Sequence, residues 1–204
     1  AVAVSPDGAH VYVASNTDHA VAVFGRNSST GALTYEEMEK DGLGGVAGLN
    51  GAYSVAVRGS KVYVAGKSDH AVVIFERNDS TGELLYLTEA REGDASVDGL
   101  SDPISVAVSP DGFHCYATGS ADDAVVAMQY IGGQYNWLLY KGMVKDGVGG
   151  VDGLNYAYAV TVSPDGDYVY ATGDIDDAVV IFRRDSTSGV LTYVDMVNDV
   201  GGLV

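Results

Sequence analysis

With 204 residues, 47% of them hydrophobic, the chain is long enough to bury a substantial core, and no apolar run has the length that a membrane-spanning helix needs. Its formal net charge is −17, with only 11 Lys and Arg residues, which argues against a nucleic-acid backbone or an anionic membrane as partner. We therefore expect no nucleic-acid binding and no membrane insertion. The charge is consistent with cations or basic proteins as ligands, or with a role in solubility alone.

The first element of the chain, residues 1–24, reads AVAVSPDGAHVYVASNTDHAVAVF. It contains three short runs of alternating apolar residues, separated by a Ser-Pro-Asp-Gly turn and by a turn that ends in Asp-His. A fourth run, LTYEEME at residues 33–39, follows Ser-Thr-Gly. Alternation with period two between Pro, Gly and Asp turns is typical of an antiparallel meander.

This unit returns three times along the chain, at residues 54–75, 105–128 and 159–182. The equivalent residues Val4, Val57, Val108 and Val162 stand 53, 51 and 54 positions apart. Four strands in a repeat of about 50 residues, written several times, indicate the blades of a β-propeller. We predict an all-β fold in which residues 1–204 form a single propeller or part of one, with blades at 1–53, 54–104, 105–158 and 159–204.

In such a meander, the second turn of each blade and the loop to the next blade point to the same end. That topology collects Asp residues and Gly-rich loops on one face, which we call the acidic face. Carboxylates and loop carbonyls are ligands that Ca²⁺ accepts, so Ca²⁺ is the candidate cofactor. The candidate metal ligands are Asp18, Asp69, Asp98, Asp122, Asp152 and Asp176. A solvated face without metal, whose turn aspartates accept backbone N–H bonds, is favoured over such a site. Asp41, Glu92, Asp94, Asp102, Asp123, Asp146, Asp174, Asp177 and Asp199 are assigned to the same face.

The opposite face receives the Ser-Pro-Asp-Gly turns and the turns before the fourth strands. Asn27 and Asn78 lie in those latter turns and begin Asn-x-Ser sequons. Both are predicted glycosylation sites if the protein passes through a eukaryotic secretory pathway.

No group of residues in the sequence has the spacing of a catalytic triad, a zinc site or a phosphate loop. His19 and His70 occupy a turn position that Asp123 and Asp177 take in the later repeats. A residue that recurs at matching repeat positions is explained more simply by the blade than by one asymmetric active site. We therefore assign no catalytic residue, and we interpret the single cysteine, Cys115, as a small buried hydrophobe.

The segment VAVSPDG, followed by VYVA and then AVxVF, resembles the YVTN and lactonase-like β-propeller repeat family. The resemblance covers essentially the whole chain, although the first turn of the second repeat is shortened. It implies a propeller whose first strands line the axis. The family includes sugar-lactone hydrolases similar to 6-phosphogluconolactonase, cell-surface proteins and modules without known activity, and its repeat motif carries no catalytic residue.

The near-identity of the blades favours a non-catalytic extracellular or cell-surface module that acts as a structural or interaction scaffold. One alternative is a lactonase-type hydrolase at the channel mouth of the acidic face. Another is a calcium-dependent binder of carbohydrate or protein, which exposed aromatic residues such as Tyr53, Tyr156, Tyr158 and Trp137 would favour. The Val-rich faces of the first and last blades predict a protein partner, further copies of the chain, or more chain packed against them.

Overall fold

The computed structural model describes residues 1–94, 96–134 and 136–198. Within these residues the chain forms four antiparallel sheets of four strands, each with its strands in sequence order. Blade 1 contains β1 (Val2–Val4), β2 (His10–Ser15), β3 (Ala20–Arg26) and β4 (Leu33–Lys40). Blade 2 contains β5 (Ala52–Arg58), β6 (Lys61–Gly66), β7 (Ala71–Arg77) and β8 (Leu84–Arg91). Blade 3 contains β9 (Pro103–Val108), β10 (His114–Gly119), β11 (Ala124–Ile131) and β12 (Trp137–Lys145). Blade 4 contains β13 (Ala157–Val162), β14 (Tyr168–Gly173), β15 (Ala178–Arg184) and β16 (Leu191–Asn198).

The predicted propeller blades are thus confirmed. The first strands of the last three blades begin at Ala52, Pro103 and Ala157, slightly before the predicted boundaries at residues 54, 105 and 159. The last part of the predicted fourth blade, residues 199–204, lies outside the described residues, as does Asp199 of the acidic face.

The Ser-Pro-Asp-Gly turn explains why the first two strands of a blade pair in one register. Ser5 Oγ donates to Asp7 Oδ1 at 2.5 Å and accepts from the backbone N–H of His10 at 2.9 Å. Gly8 closes the hairpin with a φ of 72°, a conformation that glycine adopts at little cost. Blade 2 lacks this sequence and closes instead with a two-residue turn, in which Arg58 pairs with Lys61.

The hydrophobic core lies between blades, in three buried clusters that join blades 1 and 2, 2 and 3, and 3 and 4. In blade 2, successive side chains of each strand point to opposite faces of the sheet, so they pack alternately against the two neighbouring blades. Val62 and Phe75 pack against blade 1, whereas Tyr63 and Ile74 pack against blade 3. Cys115 lies in the second cluster and is fully buried, as expected for a small hydrophobe.

The outer faces of blades 1 and 4 are apolar and exposed. On blade 1, Val2, Val4 and Tyr35 are 66%, 53% and 58% exposed, and on blade 4, Val179 and Val197 are 43% and 62% exposed. Across the described ranges, no buried cluster, hydrogen bond or ion pair joins blade 1 to blade 4. The four blades therefore form an arc with two free apolar faces. Within the same ranges, no helix has the length and apolarity required to cross a membrane.

Candidate site at the axial mouth of the acidic face

The turn aspartates of the acidic face hold the inter-blade loops in place. Three of them accept a backbone N–H from the loop that precedes their own blade: Asp69 from Asn50 at 3.0 Å, Asp122 from Ser101 at 2.8 Å and Asp176 from Asn155 at 2.9 Å. Asp18 accepts from Ser15 Oγ at 2.8 Å. These bonds place the second turns and the inter-blade loops at one end of the sheets, as the meander topology predicts.

Of the six predicted metal ligands, the structure brings only Asp152 and Asp176 into one group within the described ranges. They join Asp146, and the three carboxylates have oxygens within 4.8 Å of one another. Asp146 Oδ1 already accepts the backbone N–H of Leu154 at 3.0 Å, and Asp176 is committed to Asn155. Exposed Asp98, like Asp18, Asp69 and Asp122, belongs to no such group among the residues described. Calcium binding on this face stays a prediction.

The histidines of the second turns have a structural function that the sequence analysis missed. His19 Nδ1 accepts the backbone N–H of Gly51 at 2.9 Å, and His70 Nδ1 accepts that of Asp102 at 2.9 Å. In blade 3, Asp123 Oδ1 takes the same place and accepts from Tyr156 at 2.7 Å. His and Asp side chains are hydrogen-bond acceptors of similar reach. Their exchange between repeats was therefore the sequence signal that this position accepts a hydrogen bond.

The sequon asparagines fold their own turns. Asn27 Oδ1 accepts the backbone N–H groups of Ser29 and Thr30, both at 3.0 Å. Asp185 Oδ1 accepts the equivalent pair of backbone N–H groups in blade 4, so this turn position holds a side-chain acceptor in both blades. Asn27 and Asn78 are both exposed, and their glycosylation stays a prediction.

The inner strands meet at the axis, and their edges are covered by serine side chains. Ser54 Oγ accepts the backbone N–H of Val106 at 3.2 Å, and Ser105 Oγ accepts that of Val160 at 3.1 Å. At the acidic end of these strands lies an open depression of about 370 Å³, which we call the axial mouth. Its lining residues are Ala1, Ala14, Asn16, Ala52, Tyr53, Ser54 and Ile104.

Tyr53 lines the axial mouth, and the side chains of Lys67 and Tyr158 lie next to Tyr53. Tyr53 and Tyr158 are 37% and 45% exposed, and hydrogen bonding with Tyr53 raises the pKa of the Tyr158 phenol. The rings of Tyr156 and Tyr158 lie 6.5 Å apart between centroids. Lys67 Nζ lies 5.7 Å from the centroid of the Tyr53 ring, within the range of a cation–π contact. Tyr53 is therefore accessible at the mouth, and Tyr158 is accessible in a neighbouring open depression that it lines together with Asp174.

This arrangement offers three chemical capabilities. The exposed ring faces provide a stacking surface for a sugar. The ammonium of Lys67 and the tyrosine hydroxyls are donors for an oxygen that gains negative charge. Asp174 lines the same open depression as Tyr158, so its carboxylate is a candidate base.

Comparison with known proteins decides the family. The model of the lactonase family, described as a 7-bladed β-propeller, matches residues 1–98 and 88–202. The chain belongs to this lactonase family. The resemblance noted in the sequence is thus confirmed. A separate search of curated proteins found no match to the chain.

Solved structures resemble this family member in fold. A proposed 6-phosphogluconolactonase from Bacteroides fragilis matches with a TM-score of 0.75 at 20% identity, over 97% of this chain and 54% of that one. A protein from Lactobacillus plantarum gives a TM-score of 0.76 at 20% identity, over 97% and 56%. The periplasmic gluconolactonase of Pseudomonas aeruginosa gives 0.70 at 20% identity, over 98% and 57%. The chain thus spans little more than half the length of these proteins.

These comparisons correct the functional prediction. A non-catalytic scaffold was the leading expectation, but the family is one of lactonases and two of these three neighbours are named for lactone chemistry. The expectation was wrong because it took the near-identity of the blades as evidence against an asymmetric site. The lactonase alternative is the better supported one.

Proposed function

We propose that the chain is part of an enzyme that hydrolyses a sugar lactone at the axial mouth. The observation that carries the proposal is the juxtaposition of the Lys67 ammonium with the exposed phenols of Tyr53 and Tyr158, in a chain of the lactonase family. The site lies where the inner strands converge, a concave position typical of ligand sites.

Hydrolysis of a lactone needs an attacking water and stabilisation of a carbonyl oxygen. Water adds to the ring carbonyl, whose π electrons move to the oxygen, and the intermediate then breaks its bond to the ring oxygen, which takes a proton. Lys67 and the phenol hydroxyls would donate to the carbonyl oxygen as its negative charge develops. The Asp174 carboxylate would accept the proton of the attacking water.

The charge around the mouth favours a neutral lactone over a phosphorylated one. The lining residues include no Lys or Arg side chain, and Lys67 is the cation that stands over Tyr53. A phosphate dianion is usually held by several donors or cations, and the surrounding acidic face would repel it. The same repulsion would help to expel the carboxylate that hydrolysis produces.

The proposal is tested by measuring acid release from glucono-δ-lactone in weakly buffered solution, above the spontaneous rate. We expect Lys67→Met and Tyr158→Phe each to lower kcat/KM by about tenfold or more. Lys145→Met serves as the control for Lys67→Met, because Lys145 ends the outer strand β12 of another blade. We also expect a lower kcat/KM for 6-phosphogluconolactone than for the neutral lactone.

Two outcomes would count against the proposal. One is a rate no higher than the spontaneous one for both lactones, and the other is an equal loss in the Lys67 and Lys145 variants. Faster hydrolysis of the phosphorylated lactone would retain the reaction class but reject the neutral substrate. An extracellular or cell-surface location is part of the proposal, and its support is the likeness to the periplasmic protein of Pseudomonas aeruginosa.

A further inference from the structure

The turn between the second and third strands, which we call the second turn, has one position whose residue differs in every blade. The first residue after the second strand is Asn16 in blade 1, Lys67 in blade 2, Ser120 in blade 3 and Asp174 in blade 4. The position two residues later is an aspartate in all four blades. An active site needs one asymmetric cluster, and this variable position places different chemical groups at the acidic end of the sheets.

The backbone of this position holds the turn, so the side chain is free to vary. The backbone N–H groups of Lys67 and Asp174 each donate to a carbonyl of the loop before their own blade, both at 3.1 Å. Ser120 differs, because its buried hydroxyl also donates to the carbonyl of Asp102 at 2.9 Å. In blades 2 and 4 the turn therefore does not require a particular side chain at this position.

Asn16 brings the variable position of blade 1 to the axial mouth. It is exposed and lines the mouth beside Tyr53. Its Nδ2 lies 3.5 Å from the carbonyl oxygen of Gly51, which also accepts the backbone N–H of Lys67 at 3.1 Å. The shared carbonyl places the Asn16 carboxamide next to the turn that carries Lys67.

The carboxamide of Asn16 has hydrogen-bonding capacity that the chain does not use. Its bond to Gly51 is at the long end of the range for hydrogen bonds, so a ligand can replace it at little cost. Among the described residues, no group donates to Asn16 Oδ1. The other polar groups that line the mouth have partners: Ser54 Oγ accepts a backbone N–H of the next blade, and Tyr53 is hydrogen bonded to Tyr158.

The chemistry of a carboxamide suits recognition of a hydroxyl group. It is neutral, so it supplies neither the positive charge of Lys67 nor the proton acceptor that Asp174 provides. It both donates and accepts hydrogen bonds, and a hydroxyl group does the same. A hydroxyl on a bound ring could therefore donate to Asn16 Oδ1 and accept from Nδ2 at once.

We infer that Asn16 is a specificity-determining residue of the axial mouth, whose carboxamide binds a ring hydroxyl of the lactone. The inference rests on the proposed function, and it narrows the substrate class to hydroxylated lactones. The bound hydroxyl fixes the ring beside Lys67, because Asn16 and Lys67 share the carbonyl of Gly51. An analogue without the hydroxyl is disfavoured, since the polar groups of the site then lose water without gaining a partner.

The test compares glucono-δ-lactone with δ-valerolactone, which has the same ring and no hydroxyl groups. We expect Asn16→Leu to lower kcat/KM for glucono-δ-lactone about tenfold, mainly through KM, and to change that for δ-valerolactone by less than about twofold. Lys67→Met should lower both values, because the carbonyl is common to both lactones. Thr17→Val is the control, since Thr17 is exposed in the same turn and does not line the mouth.

Binding of glucono-δ-lactam, measured by calorimetry, provides a second readout that needs no hydrolysis. The lactam keeps the hydroxyl groups and has an N–H in place of the ring oxygen. We expect Asn16→Leu to raise its Kd about tenfold and Thr17→Val to leave it unchanged. Asn16→Ala replaces the leucine variant if circular dichroism shows that the latter is unfolded.

The outcomes separate this inference from the proposed function. Equal losses for the two lactones in Asn16→Leu, or no loss for either, would overturn the inference and leave the lactonase reaction in place. If neither lactone is hydrolysed, the proposed function is rejected and the lactam decides the inference. Weaker binding by Asn16→Leu would then support the inference, whereas unchanged binding, or no binding by the unmodified protein, would overturn it.

Discussion

The contact between blades 2 and 3 differs from the inter-blade contacts on either side of it. We call each contact between a leading blade and the blade that follows it in sequence a seam. In the outer seams an aspartate of the leading blade holds a buried arginine of the following blade. In the middle seam the leading blade has no such aspartate, since Arg58-Gly59-Ser60-Lys61 replaces its turn, and Tyr130 stands where the arginine would be.

The middle seam reverses the placement of charge. Lys61 of the leading blade lies over the Tyr130 ring, 5.4 Å from its centroid, and pairs with Glu76 at 2.5 Å. Arg58 donates to the carbonyl of Pro110 in the following blade. The middle seam thus lacks both the aspartate of the leading blade and the arginine of the following blade. The two sides of a seam therefore vary together, although they are about 70 residues apart in sequence.

The largest expected effect comes from removing a seam arginine. Arg184 is nearly buried and also donates from Nε to the Tyr116 hydroxyl at 3.0 Å. We expect Arg184→Met to lower the free energy of unfolding by about 2–4 kcal/mol, because it leaves Asp111 and several buried acceptors without their donor. Denaturant unfolding measures the change. Arg183→Met, at the exposed neighbouring position, is the control, and an equal loss from both would contradict the seam interpretation.

A smaller effect is expected when an arginine is placed in the middle seam. Tyr130→Arg would bring a guanidinium beside Lys61 and opposite a turn without a carboxylate, so we expect a loss of about 1–2 kcal/mol in the free energy of unfolding. Adding Lys61→Glu should recover part of it, and Tyr130→Leu should cost less than Tyr130→Arg. Stabilisation by the arginine alone would show that the middle seam needs no matched pair.

The smallest expected effect is the loss of folding stability at low pH. Hydrogen bonding from Ser5, aided by Arg77, lowers the pKa of Asp7 to about 2, and hydrogen bonds from Ser109 and Phe113, with Arg184, lower that of Asp111. A depressed pKa contributes stability that is complete above the unfolded pKa, about 3.9, and is lost as pH falls through the folded pKa. Asp7 is partly exposed, so we expect less than about 1 kcal/mol from it between pH 5 and 2.

Urea unfolding at pH 5 and at pH 3 measures this contribution. The Asp7→Asn variant should lose less stability between the two pH values than the unmodified chain does. Asp94→Asn changes an exposed carboxylate that forms no ion pair among the described residues, so this variant should keep the full loss. A pH dependence that is the same in all three proteins would show that the seam acids do not contribute.

The blades could be predicted from local features of the sequence. Apolar residues alternate with period two between the Ser-Pro-Asp-Gly and Asp-His turns, and this pattern is a local signal. A hairpin needs no distant residue to set its register. The acidic face also followed, because the meander topology alone decides which turns share an end. Family membership was readable for the same reason, since the repeat motif consists of strand and turn residues.

The contacts between blades and the residues at the axis could not be predicted in this way. Asp7 and Arg77 each look like an isolated charge in the sequence, and His70 looks like a variable turn residue. Their partners lie in a neighbouring blade or loop, and repeat spacing does not reveal them. The proximity of Tyr53, Tyr158 and Lys67 likewise depends on the rotation of blade 4 relative to blade 2. Packing between sheets sets that rotation, and the period of a single strand carries no information about it.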